Sequence, residues 1–281
     1  MITKNAMQLK AMIKNKAKIL NITPQAALQT YCLERFLERI SMSDKAECFI
    51  IKGGFLISSL IGIENRSTMD IDTTAKGFEV SKKTVEEIFR RICSIQLDDQ
   101  LKFIYDRVED IREDDIYPGM RVYLKAAYES LNIPISIDVT TGDSIIPSEI
   151  RYSYHCVYDD KDIQVMAYPL ENVISEKLET IISRGIANTR PRDFYDVYIL
   201  YQLKGKQINW SVLREALNKT SKKRGSEKNL GEYKKILESL KNNVNQHMYW
   251  NNYKAKNLFV KGITYEKALE IVEKCFKKIG M

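Results

Sequence analysis

Lys52-Gly53-Gly54-Phe55, followed further on by Arg66-Ser67-Thr68-Met69-Asp70-Ile71-Asp72, organises this chain of 281 residues. Just upstream, Cys48-Phe49-Ile50-Ile51-Lys52 is short and apolar, a strand of the buried type that stops at the two glycines. Phe55 to Ile63 is long enough for two helical turns, and Met69 to Thr73 alternates as a strand does. A Gly-Gly turn between strand and helix exposes backbone N–H groups at a helix N-terminus, where phosphate is favoured. Glycine also lets the backbone approach that phosphate closely. Along a strand over 69–73, Asp70 and Asp72 share one face and Ile71 takes the other. Neighbouring carboxylates repel unless a cation lies between them. Magnesium takes oxygen ligands, usually one or two carboxylates plus substrate phosphates. Taken alone, the pattern equally describes a surface strand after a tight turn.

Downstream, Asn132 to Thr140 supplies a third carboxylate. Ile133, Ile135, Ile137 and Val139 form an apolar face, which leaves Asp138 on the opposite one with Ser136 and Thr140. Three aspartates on neighbouring strands can hold two magnesium ions, one activating an attacking hydroxyl and both steadying a phosphoryl group. A strand with a polar solvent face is the plainer alternative. In Glu171 to Leu178, helical spacing sets Lys177 among Val173, Ile174, Leu178 and Ile181. A lysine there either snorkels to water or meets an anion such as a triphosphate. Arg190-Pro191-Arg192-Asp193-Phe194-Tyr195-Asp196 opens the next helix with Pro191 in its first turn. Asp193 suits the helix dipole. Asp196, one turn deeper, could pair with Lys177 or Arg190, orient a nucleotide or act as a base.

The flanking patterns complete an α+β reading. Residues 5–42 form two helices, broken at Asn21 to Pro24, with Thr23 as N-cap and Pro24 at the first helical position. Helical spacing returns over Ser81 to Ile95. Strands follow at Leu101 to Val108, Arg121 to Glu129 and Ile133 to Val139, then a hairpin of Tyr152 to Tyr158 and Ile163 to Ala167 about Asp159-Asp160-Lys161. After Pro169 the period is helical over 171–184, 191–203, 211–219, 230–242 and 264–279. The expected organisation is a nucleotide-handling domain over 1–168, a mixed β-sheet flanked by helices, followed by a basic helical domain over 169–281.

Composition narrows the class. A hydrophobic content of 44 % supports a packed core. No apolar run reaches the roughly 20 residues of a membrane span, and the N-terminus lacks the apolar core of a signal peptide, so the expected location is cytoplasmic with no membrane contact. The five cysteines form no CxxC pair, and there are only two histidines, so zinc centres and histidine-based triads are disfavoured. Residues 200–281 carry 18 Lys and Arg against 7 Glu and no Asp, a net of +11; the first 199 residues net −4. The basic third suits a polyanion or is a solvated, Lys-rich surface. Lys222-Lys223-Arg224-Gly225 reads as a basic loop. Tyr249, Trp250 and Tyr253 could stack on bases or belong to a core.

Together the four motifs, Ile51-Lys52-Gly53-Gly54 through Asp72, Ile137 to Asp143, Glu176-Lys177-Leu178-Glu179 and Arg190 to Asp196, resemble the AbiEii/AbiGii toxin family of the polymerase-beta-type nucleotidyltransferase superfamily. The resemblance runs from about Asn5 to Leu203; the last 80 residues carry no matching motif. The interval from Gly54 to Asp70 is longer than the family's usual one. The resemblance implies a Mg2+-dependent enzyme in which Asp70 and Asp72 bind metal, joined by Asp138 as the superfamily's third carboxylate. It implies a nucleotide held by Gly53, Gly54, Arg66, Ser67, Thr68, Lys177 and Arg190. Asp70, Asp72, Lys177, Asp193 and Asp196 would be required for catalysis, with Asp196 favoured over Asp193. Members are toxins of abortive-infection systems, paired with a winged-helix antitoxin repressor, and related toxins transfer nucleotides to the tRNA 3′ end. The expected reaction is attack of such an RNA hydroxyl on an NTP. The alternatives are the same chemistry on a protein or small-molecule hydroxyl, and a GTP-preferring, NTP-binding regulator without turnover.

Overall fold

A computed structural model describes residues 3–111 and 119–281; Met1 and Ile2, which belong to the segment read for a leader, lie outside them. Helices α1 (Ala6–Ile19) and α2 (Pro24–Ser41) are separated where Asn21 adopts a φ of +52°. Thr23 Oγ1 accepts from the Ala26 amide at 3.1 Å and Pro24 opens α2, the start that the sequence predicts. Strand β1 (Phe49–Lys52) runs without a loop into α3 (Gly53–Ile61). Then come β2 (Asp70–Ala75), α4 (Lys82–Ser94), β3 (Lys102–Asp110), β4 (Gly119–Tyr128), β5 (Leu131–Thr141), β6 (Ile150–His155) and β7 (Asp162–Ala167). The long Gly54-to-Asp70 interval is taken up by α3 and the turn that follows Gly62.

These strands form one seven-stranded sheet in the order β3-β4-β5-β2-β1-β7-β6. The pairs β2/β5 and β1/β7 are parallel and the rest antiparallel, so the sheet is mixed. Its apolar face carries Phe49, Ile71, Ile135, Ile137 and Val139, all nearly inaccessible. Helices α2 and α4 cover that face: Phe89 packs on Phe36 and Phe49, and Phe36 on Phe103. The polar face is therefore set by register alone, since side chains alternate along each strand.

Buried charge ties α2 to the β6–β7 turn. Glu34 Oε1 accepts from the Val157 amide at 2.6 Å and from the Tyr154 hydroxyl at 3.0 Å. Arg35 donates to Asp159 at 2.7 Å, and Lys161 to Glu38 at 2.6 Å. Burial pushes the Glu34 carboxyl up to about 7, opposed by the Val157 amide, Arg35 and the Tyr154 hydroxyl.

The chain divides into two compact units, Met1–Asp143 with Ile150–Ala167 and Ser144–Glu149 with Tyr168–Met281. The second is helical: α5 (Leu170–Arg184), α6 (Pro191–Lys204), α7 (Trp210–Lys223), α8 (Glu227–Gly231), α9 (Tyr233–Lys241), α10 (Val244–Lys256) and α11 (Tyr265–Lys278). Helix α10 was not expected, because among its residues only Gln246 and Trp250 are buried and no apolar stripe marks it. Of the segment expected to be a basic loop, Lys222 and Lys223 end α7, and only Arg224 and Gly225 form the turn after it. Within this unit Asn172, fully buried, accepts from the Ile146 amide at 3.0 Å and donates to the Ser144 carbonyl at 3.1 Å, fastening Ser144–Glu149 to α5.

Candidate functional site

In the first unit the junction of β1 and α3 brings seven of the expected residues together. Gly53 has a φ of +61°, and a Cβ built on it would lie 2.1 Å from Asp72 Oδ2. Glycine is required here on both counts. A Cβ on Gly54 would lie 2.8 Å from Arg66 Nη2 and 3.0 Å from Thr68 Oγ1. The Gly54 amide donates to Asp72 Oδ2 at 3.2 Å, so the N-terminus of α3 already faces an anion. Thr68 donates to Asp70 Oδ1 at 3.0 Å. Arg66 is buried and donates to the Ser67 carbonyl, which is the part Ser67 plays: its backbone, not its side chain, makes the contact. Asp70 and Asp72 are half-buried and lie on one face of β2.

Register places further charges beside this pair. Glu109, Arg121, Asp138, Asp72 and Lys52 are successive cross-strand neighbours on β3, β4, β5, β2 and β1. Asp138 is on the face opposite Ile137 and Val139, as its strand pattern predicts, and register sets it next to Asp72. Both its oxygens, however, accept from Arg121, at 2.7 Å from Nε and 2.7 Å from Nη2. This fork binds the Arg121 proton more tightly than usual, against the desolvation that opposes it. Lys52 donates to Thr140 at 2.8 Å and to Asp143 at 2.5 Å, and Thr74 donates to the same Asp143 oxygen at 2.6 Å. Sequence reading placed Lys52 at the end of a strand and in the first motif without giving it a role, and it did not single out Arg121. Alternation puts Arg121 on the polar face of β4, but only cross-strand register shows which carboxylate it meets.

The second unit holds the other expected residues in a cluster of its own. Lys177 is buried and does not snorkel: its Nζ lies 2.6 Å from Asp193 Oδ1 and 3.1 Å from Asp196 Oδ2. Arg190 Nε is 3.3 Å from Asp193 Oδ2. Asp193 and Asp196, a turn apart on α6, are almost wholly buried. Asp193 therefore spends its carboxylate on two cations, and α6 has no side-chain N-cap. The neighbouring Glu179 is buried as well, accepting from Arg224 at 2.5 Å and Ser226 at 2.8 Å. Arg224 is thus folded onto α5. Trp250 is 2 % exposed and packs against Tyr253 and Tyr265, so that ring belongs to the core.

Whether this polar face suits a divalent ion rests on its donors. Asp70 and Asp72 offer hard oxygen ligands from one strand face beside the α3 amides, a set that fits Mg2+ completed by substrate phosphates. Among the described residues no group of three Asp, Glu, His or Cys side chains is assembled to hold a metal without such help. Also among them, no helix is long and apolar enough to cross a membrane.

Solved structures share this architecture. A Helicobacter pylori protein assigned as a nucleotidyltransferase superposes with a TM-score of 0.53 at 15 % identity, covering 92 % of this chain and 97 % of its own. The Helicobacter pylori protein JHP933 gives 0.52 at 15 % identity, covering 92 % and 94 %. At that identity the likeness is one of fold. No curated protein matches the chain. The family model for the nucleotidyl transferase AbiEii toxin of type IV toxin–antitoxin systems matches residues 35–270, a span holding every residue described in both clusters, and the chain belongs to that family of nucleotidyltransferases.

Proposed function

We propose that this toxin-family nucleotidyltransferase transfers a nucleotide from an NTP to an RNA hydroxyl, that of the tRNA 3′ end, with Mg2+ at Asp70 and Asp72, and so blocks translation and growth. The observation that carries the reading is the clamped Gly53-Gly54 backbone, held between the Asp72 carboxylate and the Arg66 guanidinium at the start of α3. A triphosphate laid there would meet the amides of a nine-residue helix, and glycine leaves it room. Bound Mg2+ would offset charge on the phosphates and ease ionisation of the attacking hydroxyl. Asp70 and Asp72 would hold that ion; Arg66, Ser67 and Thr68 would border the phosphates; and the Gly54 amide, now given to Asp72, would be open to exchange for a phosphate oxygen.

Lys177, Arg190, Asp193 and Asp196 are proposed as the second required set. Lys177 would meet the nucleotide while the two aspartates hold its ammonium in place, with Asp196 fully buried and its Oδ2 3.1 Å from Lys177 Nζ. Exposed lysines of the second unit, among them Lys222, Lys228, Lys234 and Lys235, would supply sequence-independent contacts to RNA phosphates. An antitoxin partner comes with the family; a winged-helix repressor made alongside, and action in the cytoplasm, are part of the same proposal.

Incubation with each α-labelled NTP, Mg2+ and total RNA tests the reading. Label should pass to RNA of tRNA size, and Asp70→Ala should abolish the transfer while the protein stays folded. Bound NTP without pyrophosphate release would mark a regulator, and label on protein or small molecules would change the acceptor.

A further inference from the structure

The Arg121–Asp138 fork is not used by the reading above, yet it occupies the position where a third metal-binding carboxylate is expected. Asp138 is 8 % exposed, and each of its oxygens is 2.7 Å from a guanidinium nitrogen. A carboxylate engaged in this way has little left to offer a cation, and like charges would set the ion against Arg121. The other nearby carboxylate, Asp143, is matched by Lys52, Thr74 and Thr140. Arg121 itself is less enclosed than its partner: its side chain is 35 % exposed against 12 % for Asp138. Its outer cross-strand neighbour, Glu109, is taken by Arg107 at 2.7 Å. Among the described residues the Nη1 group of Arg121 makes no hydrogen bond, and the guanidinium is close enough to Asp70 to feel its charge. A planar, permanently charged group with spare donors suits a phosphate oxygen.

We infer that Asp138 is a positioning residue for Arg121 and not a metal ligand, and that Arg121 is the substrate-facing cation: the site holds one divalent ion on Asp70 and Asp72, and Arg121 contacts the triphosphate from the adjoining strand. The inference rests on the proposed nucleotide site and adds how that site neutralises its substrate. It also separates the two carboxylates facing each other across β2 and β5, giving Asp72 to metal and Asp138 to the guanidinium.

The test compares the full-length protein with Asp72→Asn, Asp138→Asn, Arg121→Ala and Arg121→Lys. Mn2+ binding in the absence of nucleotide is followed by electron paramagnetic resonance, and KM and kcat are measured for the preferred NTP. Asp138→Asn should leave Mn2+ affinity within about twofold, whereas Asp72→Asn should weaken it about tenfold or more, as loss of a direct ligand does. Arg121→Ala should leave Mn2+ affinity equal or tighter and raise KM for NTP by roughly 10–100-fold, the scale of a lost charge-assisted hydrogen bond. Arg121→Lys should recover part of that loss, since charge returns without the fork. Asp138→Asn should raise KM in the same direction as Arg121→Ala, because the guanidinium loses its anchor. Melting temperatures accompany each variant. Should Asp138→Asn not fold, the two Arg121 variants decide, because that side chain is partly exposed. Equal losses of Mn2+ in Asp138→Asn and Asp72→Asn, or an unchanged KM in Arg121→Ala, would overturn the inference and leave the nucleotide site standing. A wild-type protein that binds neither Mn2+ nor NTP would overturn both.

Discussion

A methyl group at Gly53 would place its carbon 2.1 Å from Asp72 Oδ2, on a backbone whose φ of +61° already disfavours an L side chain. The conformational part alone costs roughly 1–2 kcal/mol, and the contact adds displacement of the carboxylate. Gly53→Ala should therefore lower the melting temperature and also weaken Mn2+ binding, which calorimetry on the folded fraction would detect. Asp72→Asn separates the two effects. An amide oxygen can still accept from Gly54, so thermal stability should hold while label transfer disappears. Transfer that survived would remove Asp72 from the chemistry. At this scale the sequence was readable where one residue has one reason. Gly-Gly before a helix and Asp-x-Asp on a strand name their positions without neighbours. Arg121 was not readable in that way, because its meaning comes from Asp138, seventeen residues away and on another strand.

Elements carry the next set of consequences. Helices α5 and α6 are joined through Lys177, Asp193 and Asp196, and cutting Lys177 to Ala leaves two buried carboxylates without their ammonium. Loss of one partner from a buried pair costs roughly 3–5 kcal/mol, so Lys177→Ala should lower stability in urea titration by that order. Lys177→Ala alone cannot then report on catalysis; Asp196→Asn, nearly isosteric, is the better probe of a role in transfer. Helix α2 makes a pH prediction through Glu34. Its folded carboxyl titrates near 7, above the 4.5 of a free glutamate, so the folded state holds its proton more tightly than the unfolded chain. This contribution destabilises increasingly as pH rises from about 4.5 to about 7 and is constant above that. Its full size is on the order of 3 kcal/mol. Glu34→Gln, which keeps an acceptor for Val157 and Tyr154, should flatten the slope of melting temperature between pH 5 and 8. An unchanged slope would mean the charge is accommodated. The strands and most helices were legible because their periods are strong: β5 shows one face at 8 % exposure or less from Ile133 to Val139. Helix α10 was not, because its few buried positions leave no stripe. Its Trp250 faces a small aromatic cluster that only the packed unit reveals.

At the scale of the whole molecule, charge is divided unevenly, with the surplus in residues 200–281. Part of that surplus is internal, since Arg224 meets Glu176 and Glu179, so the charge available to a polyanion is smaller than the sum. If RNA lies on the remaining lysines, binding should fall steeply with salt, by roughly 10³-fold between 50 and 200 mM for about six phosphate contacts. Filter binding at several salt concentrations would give the slope; a flat response would exclude that surface. The two units are also not successive along the chain, because Ser144–Glu149 belongs with Tyr168–Met281 while the hairpin between them returns to the first unit. Anyone dissecting the protein by truncation, or exchanging its helical portion with a homologue's, has to carry the hexapeptide along. A recombinant piece beginning at Tyr168 would present the core amide of Asn172 to no mate at either end, and its misbehaviour would reflect the missing six residues and not an inability of the helices to stand alone.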